Sequence, residues 1–449
     1  MGTSEDRSRL SSQAVMPRGA KTWLDRLRGF MYSPLSATSS TALPGRGRMN
    51  TLECDQASND YDLSERGAYN SCFRDVWGPR EKLALCTWSD ANPDGHTGPR
   101  VTSDDLFITP GLTSAIDSVV FAICNPGDGI LIPEPFYNGF KIDITHRSDA
   151  RIIGVTYDNL KGYSSLDDIF KPDMTRKALD GALQRAHRQG IKPRAVIISN
   201  VQPVETMREF MAFCGENDLH SISDEIYAKS VFQNPALTNK FTSALAIDWK
   251  DLVSPNRFHV LYSASKDFCA NGLRIGVVYS QNKGLFRSMS SIGAFSWTPH
   301  LVQDIWAAML EDENWKKELH RKNIRLMAQN YGIITCFMQK HQISYYEMNA
   351  GLYLWTDLRR FLVPALQRKN INLDDLRVGG PDDYTYKQRE ARFIEIGIKY
   401  GVLISPGTIY QVREYGWFRI TFTAEQQMLQ EGLRRLARLL LSHEVSYWC

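Results

Sequence analysis

The sequence predicts an α/β protein: a mainly parallel sheet sandwiched by helices, with a smaller α+β domain after it. Three observations carry this expectation. From about residue 105, strand-length apolar runs alternate with helix-length segments, a rhythm that builds parallel strands joined by right-handed crossovers. Ala195–Ser199 is a continuous strand-length run, apolar up to its last residue, as a strand covered on both faces requires. After about residue 300 the alternation gives way to long helical stretches.

Taken in order, Asp105–Thr109 is a short strand entering Gly111-Leu112-Thr113, and Ser114–Cys124 a helix stopped by Asn125-Pro126-Gly127-Asp128. Gly129–Pro133 and Arg151–Val155 are strands. Met174–Gln189 is a helix closed by Gly190, a residue suited to the left-handed turn that ends helices. A helix follows at Thr206–Glu216, and strands recur at Ser221–Ser223, Val260–Ser263 and Ile275–Ser280. Leu301–Gln339 is strongly helical, with a break expected near Glu311–Asn314. Ile343–Asp357 reads as a hairpin turned at Asn349-Ala350-Gly351. Arg389–Gly401 is a helix, Trp417–Thr423 a strand and Glu425–His443 a final amphipathic helix.

Composition removes several function classes. The 449 residues are 43% hydrophobic and 23% charged, enough for a large core and too polar for a membrane protein. No run approaches the ~20 apolar residues of a spanning helix. Residues 1–50 hold eight Lys/Arg against three Asp/Glu, so the overall +3 leaves −2 for residues 51–449. A body near neutrality has no electrostatic footprint for nucleic acid. No two of the eight cysteines are closer than fourteen residues, so no metal-type cluster is expected. Free thiols in a reducing, cytoplasmic setting are the simplest expectation. Residues 1–50, with twelve Ser/Thr, read as a mobile tail; a transit peptide is the alternative, interrupted by Glu5, Asp6 and Asp25.

Polar residues gather at three strand ends. Ser223-Asp224-Glu225-Ile226-Tyr227 follows one strand, and Ser263-Ala264-Ser265-Lys266-Asp267 follows the next. Arg274 comes eight residues after Lys266. Upstream, Gly111-Leu112-Thr113-Ser114 opens a helix, whose bare N–H groups and dipole suit a phosphate. Chemistry in such sheets sits at the carboxyl ends of the strands. An anion cradle, a Lys, an Asp, a Tyr and an Arg on one sheet are what pyridoxal phosphate needs.

These stretches, with Pro133-Glu134-Pro135-Phe136-Tyr137, Gly272-Leu273-Arg274-Ile275-Gly276 and Gly416-Trp417-Phe418-Arg419, resemble the fold-type I pyridoxal-phosphate enzymes of the class I/II aminotransferase family. The texture is most similar to the 1-aminocyclopropane-1-carboxylate synthase-like branch, over about residues 60–440. The resemblance implies a seven-stranded large domain over 105–300, a linking helix and small domain over 301–449, and a dimer-contact arm over 51–104. It also implies a homodimer, because the family builds each site from both subunits, and a small α-amino acid as substrate.

It assigns roles as follows. Lys266 forms the internal aldimine and then shuttles protons at the substrate Cα. Asp224 pairs with the pyridine N–H and keeps the ring protonated. Tyr227 donates to the cofactor's phenolic oxygen. Arg274 holds the phosphate with Ser263 and the Leu112–Thr113 N–H groups, its guanidinium fork matching phosphate oxygens. Tyr137 stacks on the ring, with a core aromatic as the alternative. Arg419 takes the substrate α-carboxylate in a bidentate pair.

The sequence departs from the family pattern in three places. The family's Asn-Pro is Gln202-Pro203 here, so the amide that meets the phenolic oxygen sits on a longer arm. Trp77 stands where a partner-subunit tyrosine reaches the phosphate, and an indole has one N–H and no acid function. Only eleven residues separate Glu65 from Trp77, a compressed specificity segment. The reading is therefore an aminotransferase, acting through an external aldimine and quinonoid. The alternatives are a lyase of secondary metabolism, eliminating at Cγ as in these synthases or at Cβ as a C–S lyase, and a cofactor-binding pseudoenzyme.

Overall fold

The computed structural model describes residues 101–442, apart from 159, 200, 238–240, 294–295 and 364–371. The expectations placed on residues 1–100, including Trp77 and Glu65, lie outside the described residues.

The apolar runs become strands β1 (Leu106–Thr109), β2 (Gly129–Pro133), β3 (Arg151–Val155), β4 (Pro193–Ser199), β5 (His220–Asp224), β6 (Phe258–Ser263) and β7 (Gly276–Ser280). They form one seven-stranded sheet ordered β1-β7-β6-β5-β4-β2-β3. Strands β2 to β6 run parallel to their neighbours, and β7 is antiparallel to both β6 and β1. The mainly parallel sheet expected from the sequence is thus present, with one reversed strand.

Helices cover both faces, and side-chain alternation along the strands shows it. On one face Ile197, Leu261 and Val278 pack with Val119 of α1 (Leu112–Ile123), Phe140 of α2 (Phe140–Thr145) and Met289 of α5 (Lys283–Gly293). On the other, Val196, Ile198, Val260 and Val277 pack with Leu179 of α3 (Pro172–Arg188) and Phe210 of α4 (Val204–Glu216). Successive residues of one strand point to opposite faces, so the central residues of β4, β6 and β7 present apolar side chains to both layers. Each fully buried large side chain, such as Phe210 or Leu179, contributes about 1.5–3 kcal/mol by leaving water.

Two long helices follow, α6 (His300–Glu311) and α7 (Glu313–Lys340). The expected break falls at Asp312, whose carboxylate accepts from Trp315 N at 2.9 Å and caps α7. A three-stranded antiparallel sheet then assembles from β8 (Tyr353–Asp357), β9 (Ser405–Pro406) and β10 (Trp417–Thr421) in the order β8-β10-β9. With α7, α8 (Asp383–Lys399) and α9 (Gln426–Leu440) it encloses a second core around Ile334, Leu354, Phe393, Phe418 and Leu436.

Several boundaries differ from expectation. Helices α2 and α5 were not foreseen. Helix α8 starts six residues earlier than Arg389. The expected hairpin has one true strand, β8. Its other arm touches β8 through a single bridge, Tyr345 to Thr356, and Ala350 bridges to Val231 instead, so the turn is tied to the loop after β5. No helix among the described residues is long and apolar enough to cross a membrane. Among those residues Cys124, Cys214, Cys269 and Cys336 are free thiols.

Candidate active site

The parallel strands bring the carboxyl ends of β5 and β6 to one edge of the sheet, beside the amino end of α1. Between that edge and the three-stranded sheet lies a cavity of about 490 Å3. Of the residues singled out by sequence, Leu112, Thr113, Tyr137 and Asp224 line it, and so do Tyr227, Lys266, Arg274 and Arg419. Gln202 and Ser263 lie beside the cavity and not in its lining.

The lysine is placed by a single helical turn, Ala264–Asp267, directly after β6. Ser263 caps that turn, its Oγ accepting from Ser265 N at 3.2 Å and donating to Ile275 O at 2.8 Å. The Ser263 hydroxyl is thereby committed to the scaffold, and Ser265, whose Oγ is 2.8 Å away, faces the cavity. Asp267 anchors the far side of the turn, accepting from Lys229 N at 2.8 Å and Tyr262 Oη at 3.0 Å.

The anion cradle forms where β1 passes into α1. No side chain caps α1, so its first N–H groups remain available. Gly111 there has φ +94°, and a Cβ on it would come 2.4 Å from Arg274 Nη2. Arg274 itself is left-handed, at φ 50°, and its Nη1 donates to Asn271 O at 2.9 Å. Gly276 opens β7 so close to this turn that its Cβ would meet the Gly111 carbonyl carbon at 2.7 Å. A guanidinium and a bare helix end thus share one small space, a fit for a phosphate.

Asp224 is the second feature that fits the cofactor. It is 5% exposed, and its Oδ1 accepts from Ile226 N at 3.1 Å. Burial raises its carboxyl to about 7, Glu225 and Asp143 add to the rise, and the Ile226 N–H opposes it. Among the described residues no cation pairs with it, so a protonated pyridine nitrogen is a suitable partner. The sign of the pH effect follows. Without cofactor, the folded state keeps a proton that the unfolded chain loses above about pH 4, so stability falls as pH rises from about 4 to about 7. Asp224→Asn is expected to remove that loss, on the order of 4 kcal/mol. Cofactor-free Asp224→Asn should melt above cofactor-free wild type at pH 8, with the gap closing toward pH 4. Parallel melting curves at both pH values would count against this.

The opposite wall comes from β8 and β10. Phe418 and Ile420 point into the second core, and the alternate residue Arg419 faces the cavity. Its guanidinium carbon lies 3.8 Å from the Tyr353 ring centroid and 4.1 Å from that of Tyr410. Two rings hold the fork flat by cation–π attraction, and no carboxylate pairs with it among the described residues. Tyr137 sits on the segment after β2, edge-on to Phe140 with centroids 5.7 Å apart. Burial, with Tyr353 and Asp224 adding, pushes the Tyr227 phenol well above its ordinary range, so its hydroxyl stays a donor.

Sequence reasoning missed Asp143, Tyr353, Tyr410 and Ser265, which also line the cavity. Asp143 is 6% exposed. Burial lifts its carboxyl to about 6, against a hydrogen bond with the Thr113 side chain. Its one signal was a carboxylate set between Ile142 and Ile144.

A model of the family described as aminotransferase class I and II matches residues 85–436. The chain is similar to 1-aminocyclopropane-1-carboxylate synthase 5 of Oryza sativa subsp. japonica, 32% identical over 381 residues, covering 83% of this chain and 66% of that one. It is also similar to a Mus musculus protein named probable inactive 1-aminocyclopropane-1-carboxylate synthase-like protein 2, 29% identical over 349 residues, covering 76% and 55%. The chain thus spans less than two thirds of the length of these relatives. Among solved structures, the aromatic aminotransferase from Pyrococcus horikoshii OT3 is similar in fold, with TM-score 0.63 at 17% identity over 86% of this chain and 94% of that one.

Proposed function

The chain belongs to the class I and II aminotransferase family, and from that premise we propose that it acts at the Cα of an α-amino acid, transferring the amino group to a keto acid. Pyridoxal 5'-phosphate, the family's cofactor, supplies an electron sink for the bond cleaved at that carbon. The observation that carries the reading is the convergence of Lys266, Asp224, Arg274 and Arg419 on one cavity at the carboxyl edge of the sheet.

In this reading Arg274 and the first N–H groups of α1 hold the phosphate. Asp224 holds the proton on the pyridine nitrogen, and Tyr227 donates its O–H to the phenolic oxygen. Lys266 holds the cofactor and, once released, moves the proton at the substrate Cα. Arg419 holds the α-carboxylate, its planar fork preset by the two tyrosine rings. Tyr137, 53% exposed, stacks on the cofactor ring once that is in place. The polar reacting centre is then closed on two sides by rings that displace water. An arm from a second copy of the chain completes the site, and residues 105–300 and 301–449 act as the cofactor-binding and the carboxylate-binding domain.

A lyase is the second reading, favoured by the 32% identity to a synthase of that class; both reactions begin with the same proton removal by Lys266. The experiment is product analysis with the full-length protein, pyridoxal phosphate, a panel of amino acids and 2-oxoglutarate. Glutamate together with the matching keto acid is the expected result. Ammonia with a released thiol, or methylthioadenosine from S-adenosylmethionine, would replace transamination by elimination at Cβ or Cγ.

A further inference from the structure

Of the charged side chains that line the cavity among the described residues, Asp143 alone has no task in the proposed reaction. It belongs to the buried face of α2, with Phe140 and Ile144. Its carboxyl is hydrogen-bonded to the Thr113 side chain. Thr113 is the second residue of α1, the helix whose uncapped amino end forms the anion cradle. Asp143 thus stands one hydroxyl away from the place suited to the phosphate.

The surroundings of Asp143 are acidic. Burial is the largest influence on it and carries the carboxyl to about 6, with Asp117 of α1 acting in the same direction. Asp117 is itself held by Arg147, whose Nε is 3.0 Å from Oδ1, and feels His146 at the end of α2. Asp143 in turn pushes up Asp224 at the end of β5 and the Tyr137 phenol on the segment before α2. Lys141 of α2 and Arg151 of β3 are exposed, and among the described residues no cation opposes the rise at Asp143. Its proton decides what the Thr113 hydroxyl can do, because a hydroxyl has one proton to donate. Beside an ionised Asp143 that proton is committed to the carboxylate, and a phosphate would meet an oxygen lone pair backed by negative charge. Beside a neutral Asp143, whose own O–H donates to Thr113 Oγ, the hydroxyl proton is free for a phosphate oxygen.

We propose that Asp143 is a positioning residue of the phosphate cradle, neutral when the cofactor is bound, its O–H aimed at Thr113 Oγ so that Thr113 donates to the phosphate. The inference rests on the reading that this cavity holds pyridoxal phosphate with its phosphate at the head of α1. Loading the cofactor then takes up one proton from solvent at Asp143, and by linkage proton and cofactor strengthen each other's binding. The sign follows from the carboxyl's position. Well below about pH 6 Asp143 already carries the proton. Above it, the proton must be recovered from water on binding, so cofactor affinity falls as pH rises.

The test titrates the full chain, freed of cofactor, with pyridoxal phosphate at about pH 5 and about pH 8 and follows the imine absorbance without substrate. Asp143→Asn keeps an N–H donor toward Thr113 Oγ at every pH and needs no proton. It should bind like wild type at the lower pH and about tenfold tighter or more at the higher, one pH unit of uncompensated ionisation being worth a factor of ten. Comparing the two proteins cancels the titrations of Lys266, Asp224 and the cofactor, which both share. With pyridoxal, which forms the same imine and lacks the phosphate, the gain at the higher pH should vanish. If Asp143→Asn fails to fold, Thr113→Ala reads the same chain of hydrogen bonds: it should weaken binding at the lower pH and matter less at the higher. A ratio of variant to wild type that ignores pH, an equal gain with pyridoxal, or an equal Thr113→Ala penalty at both pH values would each overturn the proposal alone. A wild-type protein that takes up no pyridoxal phosphate at either pH would remove the cofactor reading and the proposal with it.

Discussion

Lys266→Ala is expected to be colourless and catalytically inert, whereas wild-type protein is yellow with a visible band that borohydride abolishes. The expectation rests on placement: the Ala264–Asp267 turn, capped by Ser263 and anchored by Asp267, delivers one primary amine to the cavity that Asp224 also lines. Positioned proton transfer alone is worth roughly 10²–10⁴-fold in rate, and Lys266→Ala loses the covalent hold as well. Absorbance spectra of both proteins, recorded after pyridoxal phosphate is added and the excess dialysed away, decide the matter. A wild-type protein that gains no band would end the enzyme reading, and a band surviving in Lys266→Ala would move the cofactor's attachment elsewhere.

Arg419→Ala is expected to raise KM for α-amino acids while leaving the colour intact. Removing one partner of a charge-assisted pair costs about 2–5 kcal/mol, which is roughly 30-fold to several thousandfold in affinity. The colour should persist because Arg419 belongs to β10, across the cavity from Lys266 and the phosphate cradle. Arg419→Lys should recover only part of the loss, since an ammonium keeps the charge and loses the two-pronged planar contact between the Tyr353 and Tyr410 rings. Steady-state kinetics on all three proteins would show it, and an unchanged KM in Arg419→Ala would refute the carboxylate assignment.

The fold was legible where a single period dominates. The runs Ala195–Ile198, Val260–Tyr262 and Val277–Tyr279 are largely apolar because both faces are covered, and a run of that kind has few other uses. Helix α2 was illegible because its six residues follow directly on the Pro135–Gly139 turn, too short to show a 3.6-residue repeat. Helix α5 carries Leu285 and Met289 on its buried face, but five of its eleven residues are Ser or Gly, which read as loop. The hairpin's two arms do meet, through the Tyr345–Thr356 bridge, but local alternation cannot reveal that Ala350 in its turn pairs with Val231, 119 residues upstream.

The site was legible in its motif residues for a related reason. Asp224 and Lys266 sit at strand ends, where a polar residue interrupting an apolar run stands out. Tyr353 and Tyr410 do not stand out, because a tyrosine on a half-buried strand or turn is ordinary. Their meaning comes from Arg419, brought between them only when β8, β9 and β10 assemble. Ser263 and Ser265 carry the same hydroxyl two residues apart. Which of them is scaffold and which faces the cavity depends on the Ile275 carbonyl, a contact set by the next strand.

The near-contact of Gly276 with Gly111 also bears on how this protein can diverge. The obstruction at position 276 is main chain, so no compensating change of a neighbouring side chain could relieve it. At position 111 the obstruction is the tip of Arg274, and trimming that arginine would free the space only by dismantling the cradle. Gly111 also has φ +94°, which strains any side chain whatever the space, so a saturation library should return glycine at both 276 and 111, leaving descendants to vary in the walls and not at this hinge of backbone.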